Sequence, residues 1–548
     1  MRTSNVLKLA ATFAALGLVA SCGEQHAPAP QKQPTSTPEK TTQEKPKAET
    51  ATYTPKKENV PPAVKALLES NPYYRELVNF KPSPAISSKK CLSCHETETP
   101  GIVADWQHSM HAKAGVGCAD CHVVPKDYPT AFKKHKLQGA NWTVAAAVSS
   151  VTCAKCHPLE VAEFLNSGHA RGAAQWVNTV SKHGRLMIKL AYEYEACKGY
   201  NPSLGLDPKF LMKGIRKDLP VARANEKTPR IADLVVANNC IQCHGGYVKL
   251  DKNGQPDPTT WPNDGIGTLY PDGGVSNCCA CHSRHKFSAA EARQPAACTN
   301  CHLGPDHPDK EVFEASVHGH IFDTNHDAYD FSTGKQIPGK TLRAPTCFTC
   351  HLSGINGLKP THNVSARLKW NLWAPASKER TGKAETAGWT WWKERKAIRG
   401  NPLAGNPEGP QEARNEMKQV CVTCHSQTFA DNYFQRVDAA IITYDKYFAA
   451  AQKMFKDLKS KGLIKSDVWS DPFFKLYYYL WHHEGRRFRQ GAAMGGPDYS
   501  HWHGVFQLQQ EIREMKDIYN YRMRMLKKLG DPKKVLETEP PNSIVTHE

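Results

Sequence analysis

Residues Cys278 to Gly319 decide how the rest of the chain is read. The stretch opens C-C-A-C-H-S-R-H-K-F at Cys278, passes through A-C-T-N-C-H-L-G-P-D-H-P from Ala297, and closes S-V-H-G at Ser316. It holds two copies of Cys-x-x-Cys-His, at Cys278/Cys281/His282 and Cys298/Cys301/His302. Three further histidines, His285, His307 and His318, stand outside the motifs. Two thiols at this spacing form thioethers to porphyrin vinyl groups, and the adjacent histidine ligates iron: the motif attaches c-type haem. The remaining histidines can supply a second axial ligand, or act beside an iron that has none.

Working outward, the motif recurs at Cys91/Cys94/His95, Cys118/Cys121/His122, Cys153/Cys156/His157, Cys240/Cys243/His244, Cys347/Cys350/His351 and Cys421/Cys424/His425. A chain with 19 Cys and 25 His in 548 residues would hold about 0.03 copies by chance, so eight copies are not an accident. Structural zinc sites would need paired Cys-x-x-Cys halves in a reducing compartment, which is a poorer match. The expected cofactors are eight covalently bound c-type haems. Eight macrocycles replace much of a side-chain core, so the expected fold is mainly α, with short helices and loops around the haems. The formal charge of +18 is offset by roughly sixteen propionates, two per haem. No nucleic-acid partner is inferred from it.

Arg2 and Lys8 precede an apolar run, Leu9 to Ala20, that is too short to span a bilayer and reads as a secretory leader. Val19-Ala20-Ser21-Cys22 is similar to a bacterial lipobox, with lipidation expected on Cys22; the alternative is an ordinary leader with an incidental cysteine. Residues 22–60, rich in Pro, Thr, Gln, Lys and Glu, read as a disordered tether. The expected organisation is therefore a signal peptide at 1–21, the tether at 22–60, an octahaem domain at 61–430 and a C-terminal three-helix region at 431–548. The protein is expected to be exported and lipid-anchored to the bacterial envelope, facing the periplasm or on the outer membrane.

Sixteen cysteines belong to motifs and one to the lipobox, leaving Cys197 and Cys279, for which a disulfide is one open pairing. A helix is predicted from Pro62 to Glu69, and Cys153 to Ala222 reads as more helical. The Gly/Pro/Asp-rich stretch from Gly245 to Gly274 reads as a loop that shapes access to a haem. Trp389, Trp391 and Trp392 read as packing. After the last motif, Val437, Ile441, Tyr444, Phe448, Ala451, Phe455 and Leu458 recur at helical steps until Gly462. A second helix is expected from Ser470 to about Gly495, and a third from about His501 to Leu529. Together they make a long C-terminal bundle for packing and oligomerisation.

A pure electron conduit needs a distal histidine for every iron. The distal candidates are His111, His135, His169, His285, His318, His362 and one of His482 and His483, which leaves one iron open for a small ligand. His108, His183, His320, His326, His501 and His503 are further histidines that could alter that count.

From Cys91 to Tyr519 the chain resembles the hydroxylamine oxidoreductase family of octahaem cytochromes. The most specific part is C-H-S-R-H-K-F-S-A-A-E-A-R followed by C-x-x-C-H-L-G-P-D-H-P and S-V-H-G; T-H-N after the seventh motif and the C-terminal helices add to it. The resemblance implies that the catalytic haem is the one on Cys240, Cys243 and His244, with Asp306 and His307 as its distal pair. It also implies a homotrimer. An imidazole can take up and release a proton and a neighbouring carboxylate can set its tautomer, so His307 and Asp306 can move protons to a small nitrogen substrate. Oxidative members carry a tyrosine crosslinked to a neighbouring subunit's haem. Tyr499 is the nearest match, in different flanks, and Pro360 stands where those members have a second pocket tyrosine. The implied activity is reduction of nitrite or hydroxylamine to ammonium, fed by a redox partner cytochrome or a quinol-linked donor. Hydroxylamine oxidation to nitric oxide or nitrite is the alternative direction, and a non-catalytic envelope conduit the alternative class.

Overall fold

The computed structural model describes residues 62–80, 86–172, 241–368 and 410–538, single positions 70, 247, 259 and 306 excepted. Cys22 with the leader and tether, Cys197, Cys240, Asp306, His183, the three tryptophans at 389–392 and the part of the 153–222 stretch beyond residue 172 lie outside the described residues.

Up to His351 the described chain runs in short helices separated by loops, and the sequence punctuates them. Proline opens Pro62–Glu69, Pro72–Asn79, Pro100–His108 and Pro158–Leu165, where its missing N–H costs nothing and its φ is already helical. Side chains of Asn71, Ser109, Ser149 and Ser316 accept from the first-turn amides of their helices. Several motifs form a helical turn of their own, as in Cys118–His122 and Cys347–His351. Helical spacing sets the two cysteines, three apart, on one face, with the histidine on the next position of the same turn. The one sheet among the described residues is a two-stranded antiparallel pair, Val123–Pro125 with Trp142–Val144, in the register Val123 to Val144.

The chain then changes character. Gln427–Ser460 is one helix of 34 residues, about 51 Å long at helical rise, capped by the Ser426 hydroxyl and ended at Gly462, whose φ is +70°. Its buried stripe of Phe434, Val437, Ile441, Tyr444, Phe448, Ala451 and Leu458 follows the helical period. Pro472–Tyr479 continues through a π-helical turn, Leu480–Glu484, into Gly485–Met494. A second π-turn, His501–Phe506, leads into Gln507–Leu529, which Gly530 ends at φ +67°. These helices bury Phe473, Leu480, Leu508 and Met515 against Tyr444 and Phe448. Arg522 and Asp471 are both fully buried and paired through two contacts of 3.1 Å. The pair is satisfied further: Arg522 donates to the Leu463 carbonyl, and Asp471 caps the helix at Phe474. The architecture is mainly α: short helices and loops around the motifs, then a long helical bundle. That is the fold class the sequence implied.

Candidate haem-lined site

A continuous cavity of about 3490 Å³ runs through the region of short helices and reaches the bundle at Phe448, Phe455, Phe474 and Trp481. Ordinary ligand pockets hold about 300–1,000 Å³, and a packed interior does not sustain a void several times that size without contents. Its walls carry cysteine and histidine from every one of the eight motifs. The residues present therefore fit covalent haem, on geometry as well as on sequence.

The eighth motif departs from the expectation at one thiol. Cys421 and His425 line the cavity, whereas Cys424 is exposed and stands outside its wall. Cys424 falls on the turn between the helix Pro410–Cys421 and the helix Gln427–Ser460. There the chain leaves the wall to start the long helix, and the turn carries this thiol outward. Of the two cysteines expected to attach that haem, only Cys421 faces the void.

Two imidazoles on opposite faces of one iron, with metal–nitrogen bonds of about 2 Å, leave ring centres about 6 Å apart. Four motif histidines meet a histidine from elsewhere at that separation. His157 faces His111 at 6.1 Å, His122 faces His285 at 6.3 Å, His302 faces His169 at 5.9 Å, and His425 faces His318 at 6.3 Å. His282 lies within electrostatic reach of His362. His95 and His135 both line the cavity beside His122, and so do His351 and His482. Burial drives the His282 and His351 imidazoles down to about 4, which keeps them neutral, the form that binds metal.

The second ring nitrogen of several motif histidines is held as well. Nδ1 of His122 meets the Ala145 carbonyl at 2.7 Å, and that of His95 meets the Thr99 hydroxyl at 3.0 Å. On the distal side, His135 Nδ1 accepts from the Leu137 amide at 3.0 Å and lies 3.1 Å from the Leu137 carbonyl. Such contacts fix the ring and leave Nε2 toward the cavity. His302 differs, because its Nδ1 sits 2.8 Å from a carboxylate oxygen of Asp309. Burial pulls that imidazole down, yet the bond and charge of Asp309 raise it overall.

Eight described histidines outside the motifs line the cavity: His111, His135, His169, His285, His307, His318, His362 and His482. His483, one residue from His482, does not, and neither do His108, His320, His326, His501 or His503. The π-turn at Leu480–Glu484 carries His482 to the cavity wall; such turns recur at functional sites.

His302 has a second neighbour at ligation distance. His307 lies 6.2 Å away, at the end of the loop that starts at Leu303. That loop is pinned three ways. The Gly304 amide donates to Glu311, the Asp309 amide donates to the His307 carbonyl at 2.8 Å, and Arg487 donates to the Pro305 carbonyl at 3.1 Å. Tyr499 is half-buried near Glu311 and Arg487, its ring 5.2 Å from His503, and it does not line the cavity of its own chain.

The motif cysteines also order the attachment sites in space. Cys91 contacts Cys118, Cys153 contacts Cys278, and Cys298 contacts Cys347. Charge coupling between Cys121 and Cys153, Cys281 and Cys298, and Cys350 and Cys421 joins these into one series. Cys243, from the fourth motif, contacts Cys301. The fourth site is thus a side branch off the sixth, whose His302 has His307 6.2 Å away. Sequence reasoning missed Asp309, Arg487 and the carbonyl and hydroxyl partners of the rings, because only folding brings them to the histidines.

Three family models match parts of the chain. "Seven times multi-haem cytochrome CxxCH" covers 272–472, "Cytochrome c3" covers 223–304, and "Cytochrome c554 and c-prime" covers 63–123. With the motif-lined cavity, they define the class: the chain is a multihaem c-type cytochrome. Within that class it is similar to proteins whose names carry hydroxylamine oxidoreductase. It is 27% identical over 463 residues to a probable nitrite reductase-hydroxylamine oxidoreductase fusion protein of Kuenenia stuttgartiensis, covering 77% of this chain. The chain spans 42% of that relative's length. Its fold is similar to a hypothetical multiheme protein, with TM-score 0.59, 23% identity and coverage of 83% of this chain and 98% of the other. It is also similar to a Kuenenia stuttgartiensis reducing HAO-like protein complex, with TM-score 0.51, 22% identity and coverage of 81% and 86%.

Proposed function

We propose that the chain binds eight haems and that seven of their irons are closed by His111, His135, His169, His285, His318, His362 and His482. The eighth, on Cys240, Cys243 and His244, is open and takes a small nitrogen substrate. One observation carries this reading: among the described residues eight non-motif histidines line the cavity, and His307 is the one in excess of the seven distal ligands. His169 and His307 both stand near His302. The reading assigns His169 to its iron and His307 to the substrate, because the family resemblance makes His307 a distal residue of the haem on Cys240, Cys243 and His244, and Cys243 contacts Cys301, the residue before His302.

Haem supplies an iron that binds the nitrogen ligand and relays electrons. The chain's own residues supply the rest. His307 holds a proton beside the ligand, and the family resemblance assigns Asp306, outside the described residues, as its partner. The contacts from Arg487, Glu311 and Asp309 hold the loop rigid, as proton transfer over hydrogen-bond distances demands. The preferred reaction is reduction of nitrite or hydroxylamine to ammonium, with electrons entering from a partner cytochrome or quinol-linked donor. Pro360 in place of a pocket tyrosine supports that direction. The reading includes a homotrimer, export and lipid attachment through Cys22.

His307→Ala is expected to abolish most nitrite or hydroxylamine turnover by the reduced holoprotein with haem content unchanged; near-normal turnover removes His307 from the reaction. Mass spectrometry of digested holoprotein tests direction. A peptide joining Tyr499 to the haem of Cys240 and Cys243 would reverse the preference to hydroxylamine oxidation.

A further inference from the structure

The motif histidines are not held alike. Behind His122 stands a backbone carbonyl, and behind His95 a neutral hydroxyl. The Nδ1 of His351 is buried and has no hydrogen-bond partner. Of His95, His122, His302 and His351, His302 is the one with a carboxylate behind it. A carboxylate draws the Nδ1 proton toward itself and makes Nε2 a stronger donor, which favours ferric over ferrous iron. A carbonyl or hydroxyl does so less, and a bare nitrogen least.

Asp309 is also placed firmly. It is the first residue of the helix Asp309–Glu314. Its amide donates to the His307 carbonyl, and the next amide, Lys310, donates to the His302 carbonyl at 2.9 Å. The two histidines and the carboxylate therefore move as one unit.

We propose that Asp309 is a positioning residue that makes the haem of Cys298, Cys301 and His302 the lowest-potential relay in the series. Its attachment cysteines contact Cys243 on the branch, through Cys301, and Cys347 of the site with the unassisted His351, through Cys298. An electron resting at this junction is the most reducing in the chain. It is poised to leave sideways to the fourth site or onward to the higher-potential seventh. The proposal deepens the reductive reading above and, for its consequence though not for its potential, rests on it.

The test is a spectroelectrochemical titration of the complete holoprotein, comparing wild type with Asp309→Asn and Asp309→Glu. The lowest midpoint potential is expected to move upward in Asp309→Asn, with the other waves in place. Asp309→Glu, which keeps a carboxylate, should stay near wild type. Should Asp309→Asn fail to mature, Asp309→Thr gives His302 the hydroxyl that His95 already has and should show the same upward shift. Unmoved waves, or an equal shift of all of them, overturn the proposal. The open-iron reading is scored separately in the same samples, by whether a high-spin centre binds nitric oxide. Loss of that signal in wild type would defeat the reading above while leaving the Asp309 shift to be judged by itself.

Discussion

Between Ser88 and His351 no described helix exceeds eleven residues, while Gln427–Ser460 alone runs for 34. The first region keeps its buried apolar side chains in small separate clusters, such as Leu77, Val124, Tyr128 and Val151, around a cavity lined by thiols and imidazoles. The second fills its centre with its own side chains, from Tyr444 and Phe448 to Leu508 and Met515. Where covalent cofactors supply the apolar volume, the chain needs only short pieces that end at attachment points. Where nothing else fills the interior, long amphipathic helices do. The two regions share one covalent chain but draw stability from different materials.

Blocking haem attachment should separate them most sharply. Without haem, amides of residues 86–172 and 241–368 are expected to lose nearly all protection in hydrogen exchange, while Gln427–Ser460 and Gln507–Leu529 keep theirs. Equal loss in both regions would break the distinction.

Arg522→Ala comes next. Removing it strands Asp471 uncompensated in the interior, a cost of about 3–5 kcal/mol in chemical denaturation of the bundle. The haem spectrum should be unchanged at low denaturant.

The first region has its own polar pin in Asp272, buried at 1% exposure and bonded by Tyr128 at 2.7 Å and Ser149 at 2.6 Å. Asp272→Ala leaves those hydroxyls without an acceptor, about 1–3 kcal/mol each. Burial raises the Asp272 carboxyl above its ordinary 3.8, with its hydrogen bonds pulling the other way. The folded form then binds a proton that the unfolded chain has released. Its contribution is present in full below pH 3.8 and declines as pH rises through the raised value. Holoprotein melting followed against pH should show that decline, and Asp272→Asn should flatten it. The smallest effect is expected of Ser426→Ala, which removes the cap of the long helix for about 1 kcal/mol.

Much of this contrast was legible in the sequence, for a physical reason. Haem attachment is a covalent requirement written in five consecutive positions, and a helix packed on its own face repeats its apolar residues on a fixed period. Pro62–Glu69 and the stripe from Val437 to Leu458 were readable in the same way. The π-turns were not: nothing in Leu480–Glu484 announces the extra residue per turn that brings His482 rather than His483 to the cavity. The five-position motif is equally silent on the turn that leaves Cys424 outside the wall while Cys421 faces in. Nor was Asp309 legible, which reads as one more acidic residue after a proline until folding sets it against His302. Distal pairing was half legible, because the sequence supplies the histidines and only the fold says which ring faces which.

The central claim is that seven irons are closed by histidine pairs and one is open beside His307. Electron paramagnetic resonance of the purified, fully loaded protein, before and after nitric oxide, measures it directly. The account predicts seven low-spin centres and one high-spin centre that binds the ligand. Eight low-spin centres, none responding to nitric oxide, would contradict it and leave an electron conduit.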